Sequence, residues 1–193
     1  VQRCLSVEKG HPLNVTEISL PCHAGTHVDA PVHIVDNGKS IEEIPLEDFV
    51  GPGTVIPVKK KGGEEVTARD LEDSGIPVSR GDILMLFTGW DEKFESPDYN
   101  LHPYLSIDAA EWIVGKGVKL FGIDCITVDL PTPLRPKGFE YPVHNILLGN
   151  GVLIAENVEN LGKIAGKKVR ILALPLKVKG SDAAHARIVA EVL

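Results

Sequence analysis

Residues 23–33 read His23-Ala24-Gly25-Thr26-His27-Val28-Asp29-Ala30-Pro31-Val32-His33, which places three of the chain's seven histidines close to one carboxylate. Neutral imidazole nitrogens and carboxylate oxygens are ligands for borderline divalent cations such as Zn2+, Mn2+ or Co2+. A centre of that kind with an open position activates water for hydrolysis. On a helix the His23–His27 spacing would put both rings on one face. Gly25 lies between them and Pro31 follows, so the segment is expected to be a loop that wraps an ion, with Gly25 permitting the bend. Asp29 adds oxygen ligation, and its two oxygens are able to bridge two ions. His33 is either a further ligand or a proton shuttle, because imidazole titrates near neutrality. Surface histidines beside a capping Asp would explain one such residue more readily than the whole cluster.

A second group lies downstream. His144 opens the apolar run Ile146-Leu147-Leu148, the chain turns at Gly149-Asn150-Gly151, and Glu156 ends the apolar stretch Val152–Ala155. A carboxylate at the end of a buried strand needs a partner; a cation would serve, and so would ordinary polar contacts. Asp124, closing Gly122-Ile123-Asp124, reads either as the residue that orients a ligand histidine or as a turn former. Cys22 adjoins His23, but nucleophile and base must be neighbours in space rather than in sequence. Trp90 and Trp112 read as core or pocket wall.

These side chains need elements to position them. Val55–Val58 is expected as a strand cut short by Pro57, Asp82–Thr88 as a buried strand, and Val118–Ile123 as the next one, ending at Asp124. Val152–Ala155, Val169–Leu174 and the alternating Ala186–Val192 complete the set. Thr67 caps a short helix that stops near Gly75. Ser106 caps a longer one running to Gly117, with Ala109, Ile113 and Trp112 facing inward. Helices interleave with strands, so the class is α/β. The many short strands and 14 prolines argue for a mixed, curved or barrel-like β-sheet core with surrounding helices, and the polar strand ends Thr88-Gly89-Trp90 and Asp124 mark where a site would sit.

Composition narrows the partners. The 193 residues fit one domain, 1–193, with room for a core. A net charge of −7 disfavours nucleic acid, whose phosphates call for clustered Lys and Arg. The one basic run, Lys59-Lys60-Lys61, reads as a solvated turn. No apolar stretch approaches the ~20 residues that span a bilayer. Cys4, Cys22 and Cys125 are odd in number and far apart, which suggests reduced thiols and a cytoplasmic setting. The chain starts at Val1 without a secretory pattern, and a preceding piece is expected.

The string H-A-G-T-H-V-D-A-P-V-H resembles the H-x-G-T-H-x-D-x-P-x-H signature of the cyclase-like metal hydrolases, a family that includes bacterial kynurenine formamidases and isatin hydrolases. His23, Gly25, Thr26, His27, Asp29, Pro31 and His33 fill its fixed positions. Thr88-Gly89-Trp90, Gly122-Ile123-Asp124, the His144–Glu156 segment, Leu174-Pro175-Leu176 and Arg187 extend the likeness over nearly the whole chain. The resemblance implies a swivelling β/β/α-like fold, commonly in a homodimer or homotetramer. It also implies two divalent ions, Zn2+ first and Mn2+ as the alternative. His23, His27 and Asp29 would hold one; Asp29, His144 and Glu156 would hold the other; His33 would act as acid and base. The implied reaction is hydrolysis of a small amide C–N bond, as in N-formylkynurenine. The alternatives are a cyclic amide, lactone or ester, or a domain with only a structural metal. Family members carry a longer segment before the first motif. They also commonly have a Gly-Ser-Pro-like sequence where this chain reads Ala183-Ala184-His185-Ala186-Arg187.

Overall fold

A computed structural model describes residues 1–193. The strands are β1 (Gln2–Leu5), β2 (Val15–Glu17), β3 (His27–Asp29), β4 (Val50–Pro57), β5 (Glu65–Val66), β6 (Ile83–Phe87), β7 (Tyr104–Leu105), β8 (Leu120–Ile123), β9 (Leu153–Glu156), β10 (Val169–Pro175) and β11 (Ala183–Val192). Three α-helices accompany them: α1 (Ala68–Asp73), α2 (Ile107–Lys116) and α3 (Pro142–Gly149). Seven strands close a barrel in the order β10-β11-β3-β9-β8-β6-β4. One half, β4-β6-β8-β9, is parallel. The other half is antiparallel, with β3 joining β9 to β11 and β10 closing onto β4. The expected mixed, barrel-like core is therefore the observed one.

The pleat divides the core in two. Val55, Ile83, Met85, Leu120, Leu153, Ala155, Val28, Ala184 and Ile171 alternate into the barrel interior and pack together. The other face of the parallel half carries Ile56, Leu84, Leu86, Phe121, Ile123 and Ile154, which meet Ala109, Ala110 and Ile113 of α2 and Val143, Leu147 and Leu148 of α3. The barrel is tight enough that Gly122 leaves room for Met85: a Cβ there would lie 2.2 Å from the Met85 sulfur.

Helices α2 and α1 have identifiable caps and stops. Ser106 Oγ accepts the Ala109 N–H, and Gly117 ends α2 in the left-handed region at φ +70°. In α1, Thr67 and Asp70 form a reciprocal capping box, and Gly75 follows at φ +65°. Several boundaries differ from the sequence reading. β4 starts at Val50 and its last residue is Pro57; β8 starts at Leu120; β11 begins three residues earlier than expected, at Ala183. Trp112 is only half-buried and donates Nε1–H to Glu72 at 3.0 Å. The apolar run after His144 is the body of helix α3. Outside the barrel, β1 and β2 form a hairpin, and Val7, Leu13, Val15, Ile18 and Leu20 along this N-terminal arm are exposed. No helix is long and apolar enough to cross a membrane.

Candidate metal centre

The first motif is not one loop. His27–Asp29 is strand β3, paired with β9 through His27↔Glu156 and Asp29↔Ile154 and with β11 through His27↔His185. Three residues flanked on both sides can complete two ladders, which satisfies their backbone where a buried loop would not. Val28 points into the barrel, so the pleat turns His27 and Asp29 to the outer face, where Glu156 lies beside Ile154. The loop reading holds on either side. Gly25 takes φ +65° and folds His23 back over β3, and Pro31–His33 forms a single 3-10 turn that brings His33 alongside. His144 arrives from the first turn of α3.

The structure thus brings all six expected residues together. His23 Nδ1 lies 2.9 Å from Asp29 Oδ1, and His27 Nε2 lies 3.2 Å from the same oxygen. Asp29 Oδ2 faces His144 Nε2 at 3.7 Å. Glu156 spans the group, with Oε2 3.5 Å from His27 Nε2 and Oε1 3.4 Å from His144 Nε2. His23, Asp29 and His33 form one set of convergent donor atoms, and His27, Asp29 and Glu156 another. The rings of His23 and His33 lie 4.2 Å apart between centroids, and those of His33 and His144 5.7 Å. His27 and Asp29 are fully buried, while His23 and His33 are about one-third exposed, so the mouth lies on their side.

Outer partners dictate which ring nitrogens are free. The Gly25 carbonyl accepts His27 Nδ1–H at 2.8 Å. Asp129 Oδ2 accepts His144 Nδ1–H at 2.6 Å. Asp182 Oδ2 accepts His23 Nε2–H at 2.9 Å and also lies 3.3 Å from His33 Nδ1. Each acceptor fixes a proton on the outward nitrogen and leaves the inward one as a bare lone pair. Those lone pairs face Asp29, whose two oxygens are buried and accept no hydrogen bond despite the short approaches. Lone pairs converging on a buried carboxylate are reconciled by a cation or by protons. This donor set, imidazole nitrogen with carboxylate oxygen and no thiolate, fits a divalent metal.

Charges follow the same logic. Asp29 raises the His23 pKa to about 9 against the opposing effect of burial, with Asp182 adding to the rise. Burial lowers that of His27, but Asp29 and Glu156 outweigh it and the net shift is upward. Burial likewise opposes the charge on His144, and Asp129, Asp29 and Glu156 raise it well above the ordinary range. Burial would raise Asp29, yet His144, His23 and His27 hold it well below the usual carboxylate range. The carboxylates therefore favour positive charge at the positions that a cation would take.

Of its two readings, Asp124 takes that of a turn former. It orients no histidine; its carboxylate accepts the N–H groups of Thr88, Gly89 and Trp90 and the Thr88 hydroxyl. It ties the end of β6 to the end of β8 because three backbone donors there need an acceptor. The orienting role belongs to Asp129, which also accepts the N–H groups of Val143 and His144 and so caps α3. Sequence reasoning missed Asp129 and Asp182. The only signal for Asp129 is a carboxylate inside the otherwise apolar Val128-Asp129-Leu130; for Asp182 it is a polar residue just before a strand. Asn157 was missed too: its Nδ2 donates to the Gly25 carbonyl and its Oδ1 accepts the Tyr99 hydroxyl. Cys22 Sγ contacts the Ser181 hydroxyl at 3.3 Å and no histidine base. Trp90 is buried, with its indole N–H on the Tyr99 carbonyl.

A closed mixed barrel with a convergent His/Asp/Glu cluster at the carboxyl end of its parallel strand β9 is the architecture of a metal-dependent hydrolase. Comparison with known proteins agrees. The family model described as putative cyclase matches residues 4–130. A kynurenine formamidase of Bacillus thuringiensis subsp. konkukian (strain 97-27) is 32% identical over 185 residues, spanning 95% of this chain and 83% of that protein. One of Bacillus anthracis is 31% identical, with the same coverage. Among solved structures, isatin hydrolase A from Ralstonia solanacearum superposes with a TM-score of 0.88 at 25% identity, over 100% of this chain and 81% of that one. A structure described as a potential metal-dependent hydrolase with cyclase activity gives 0.76 at 28% identity, over 97% and 84%. The chain belongs to the putative cyclase family.

Proposed function

We propose that this chain hydrolyses the carbon–nitrogen bond of a small formyl amide, with N-formylkynurenine as the leading substrate, at a centre of two divalent cations. The observation that carries the reading is the pair of buried, unbonded Asp29 oxygens, one facing His23 and His27 and the other facing His144. That division supports one position held by His23, His27 and Asp29 and a second held by Asp29, His144 and Glu156, with zinc preferred and manganese as the alternative. Such cations, when bound, supply Lewis acidity that lowers the pKa of water and polarises a carbonyl.

The chain's own groups do the rest. His33 stands at the mouth beside His23 and His144, where it accepts a proton from the attacking water and returns it to the leaving nitrogen. Asp182 accepts a hydrogen bond from His33 Nδ1–H, which leaves Nε2 as the base. The amide and water become formate and an amine, with no other reactant. His33 also belongs to a convergent donor set with His23 and Asp29, which supports a second reading in which it is a ligand. The exposed apolar side chains of the N-terminal arm support a homodimer or homotetramer, and the three free cysteines support a cytoplasmic location.

The test is N-formylkynurenine hydrolysis by chelated protein and after restoration with Zn2+ or Mn2+. Turnover that disappears on chelation and returns with metal is expected. A metal-loaded protein that leaves this substrate intact but opens isatin or a lactone would replace the formyl amide with a cyclic substrate, the reaction for which the isatin hydrolase neighbour is named. His33→Ala should retain metal and lose turnover; loss of metal would assign His33 as a ligand.

A further inference from the structure

Beside His144 stand three residues that the reaction above does not use. The Arg135 guanidinium lies 5.3 Å from the Phe139 ring centroid and 4.7 Å from that of Tyr141. The Tyr141 ring in turn meets His144 edge-on, with centroids 6.0 Å apart. A continuous path of rings therefore runs from His23 and His33 through His144 to Tyr141 and ends on a cation.

Three features set this group apart from a structural staple. Arg135 donates Nε–H to the Leu130 carbonyl at 2.7 Å and Nη1–H to the Tyr141 hydroxyl at 3.2 Å. Both acceptors are neutral, so a half-buried guanidinium keeps its charge unpaired in a chain of net charge −7. An Arg fork with free N–H groups and an aromatic face beneath it is the arrangement that receives a carboxylate. Tyr141 also sits at φ +51°, immediately before Pro142, although a residue preceding proline favours extended backbone. The strain is held in place: Asn145 donates from its backbone N–H and from Nδ2 to the Tyr141 carbonyl, and from Nδ2 to that of Glu140. Strain maintained by dedicated bonds beside a reactive cluster is a mark of function. On its Phe139 side the group borders a hollow that Phe139 and Pro142 line with Glu65, Tyr104, Leu105 and Asp129, and that Arg135 and Tyr141 do not line.

We propose that Arg135, with Tyr141 and Phe139 as its aromatic wall, binds a carboxylate at the far end of the substrate and so selects anionic amides whose planar body lies between that carboxylate and the scissile bond. The proposal rests on the amide-hydrolase reading and adds a specificity-determining residue to it.

The test compares 4-formamidobenzoate with neutral formanilide on zinc-loaded wild-type, Arg135→Gln and Arg135→Lys proteins. The ratio of kcat/KM for the anionic over the neutral amide should fall about tenfold or more in Arg135→Gln, because a charge-assisted hydrogen bond is lost. Most of the fall should appear in KM, and Arg135→Lys should recover part of it. A ratio unchanged in Arg135→Gln, whether both rates stay high or both collapse with the melting temperature, would overturn the proposal. If neither amide is cleaved, the amide reading fails, and calorimetric binding of 4-aminobenzoate to the same zinc-loaded proteins still decides: weaker binding to Arg135→Gln supports the subsite, and equal binding refutes it.

Discussion

The inner and outer faces of strand β3 are made from consecutive residues and obey opposite rules. Val28 points inward among Ala155, Ala184 and Ile171, where burial of apolar surface stabilises. His27 and Asp29 point outward, equally buried, and bring lone pairs and a carboxylate together without hydrogen bonds to absorb them. One face lowers the free energy of folding. The other carries a cost that binding of a cation repays. Stability and chemistry are thus separable along a single strand, one residue at a time.

Substitutions can break that contrast, and the largest effect is expected at Asp29. Asp29→Asn should abolish high-affinity metal binding and turnover while leaving the fold intact by circular dichroism; if the variant unfolds, the outer face is structural after all. Asp129→Ala should come next, weakening metal affinity or activity about 10–100-fold, since it removes the acceptor that orients His144. Asp124→Asn serves as its control and should leave metal affinity unchanged, because its carboxylate bonds to the Thr88–Trp90 turn and the Cys125 thiol and to no histidine.

On the inner face the signs reverse. Gly122→Ala drives a methyl group against Met85 and should cost about 1–3 kcal/mol in chemical denaturation, with metal affinity little changed. The smallest effect is one of pH. His23 is raised from 6.5 to about 9 in the metal-free protein, so the stability it contributes is fully present below 6.5 and is lost as pH rises through about 9. The melting temperature of metal-free protein should therefore decline over that window. Zinc, which replaces the proton, should remove the decline; an identical decline in zinc-loaded protein would separate His23 from the metal.

How much of this could be read from the chain depended on how local each feature is. The 23–33 segment announced its chemistry because ligand types crowd eleven residues, and α2 was legible because Ser106 and Gly117 bracket it. Strand β3 was not legible: three alternating residues are too short a pattern, and its identity comes from β9 and β11 on either side. Helix α3 was hidden because a brief apolar run has no distinguishing period and its entry at Tyr141 departs from the usual caps. Asp182 lies 159 positions from His23 and Asp129 lies 15 from His144, so only tertiary structure makes them partners. Asp124 stayed open between two readings because a strand-terminal carboxylate looks the same whether it faces a histidine or a turn.

X-ray absorption at the zinc edge on zinc-loaded wild-type protein and on Asp29→Asn tests the central claim most directly. The expected result is a first shell of nitrogen and oxygen only, with imidazole scattering, in the wild type and no bound zinc in the variant. Sulfur in the first shell, or zinc held as well by Asp29→Asn, would contradict it.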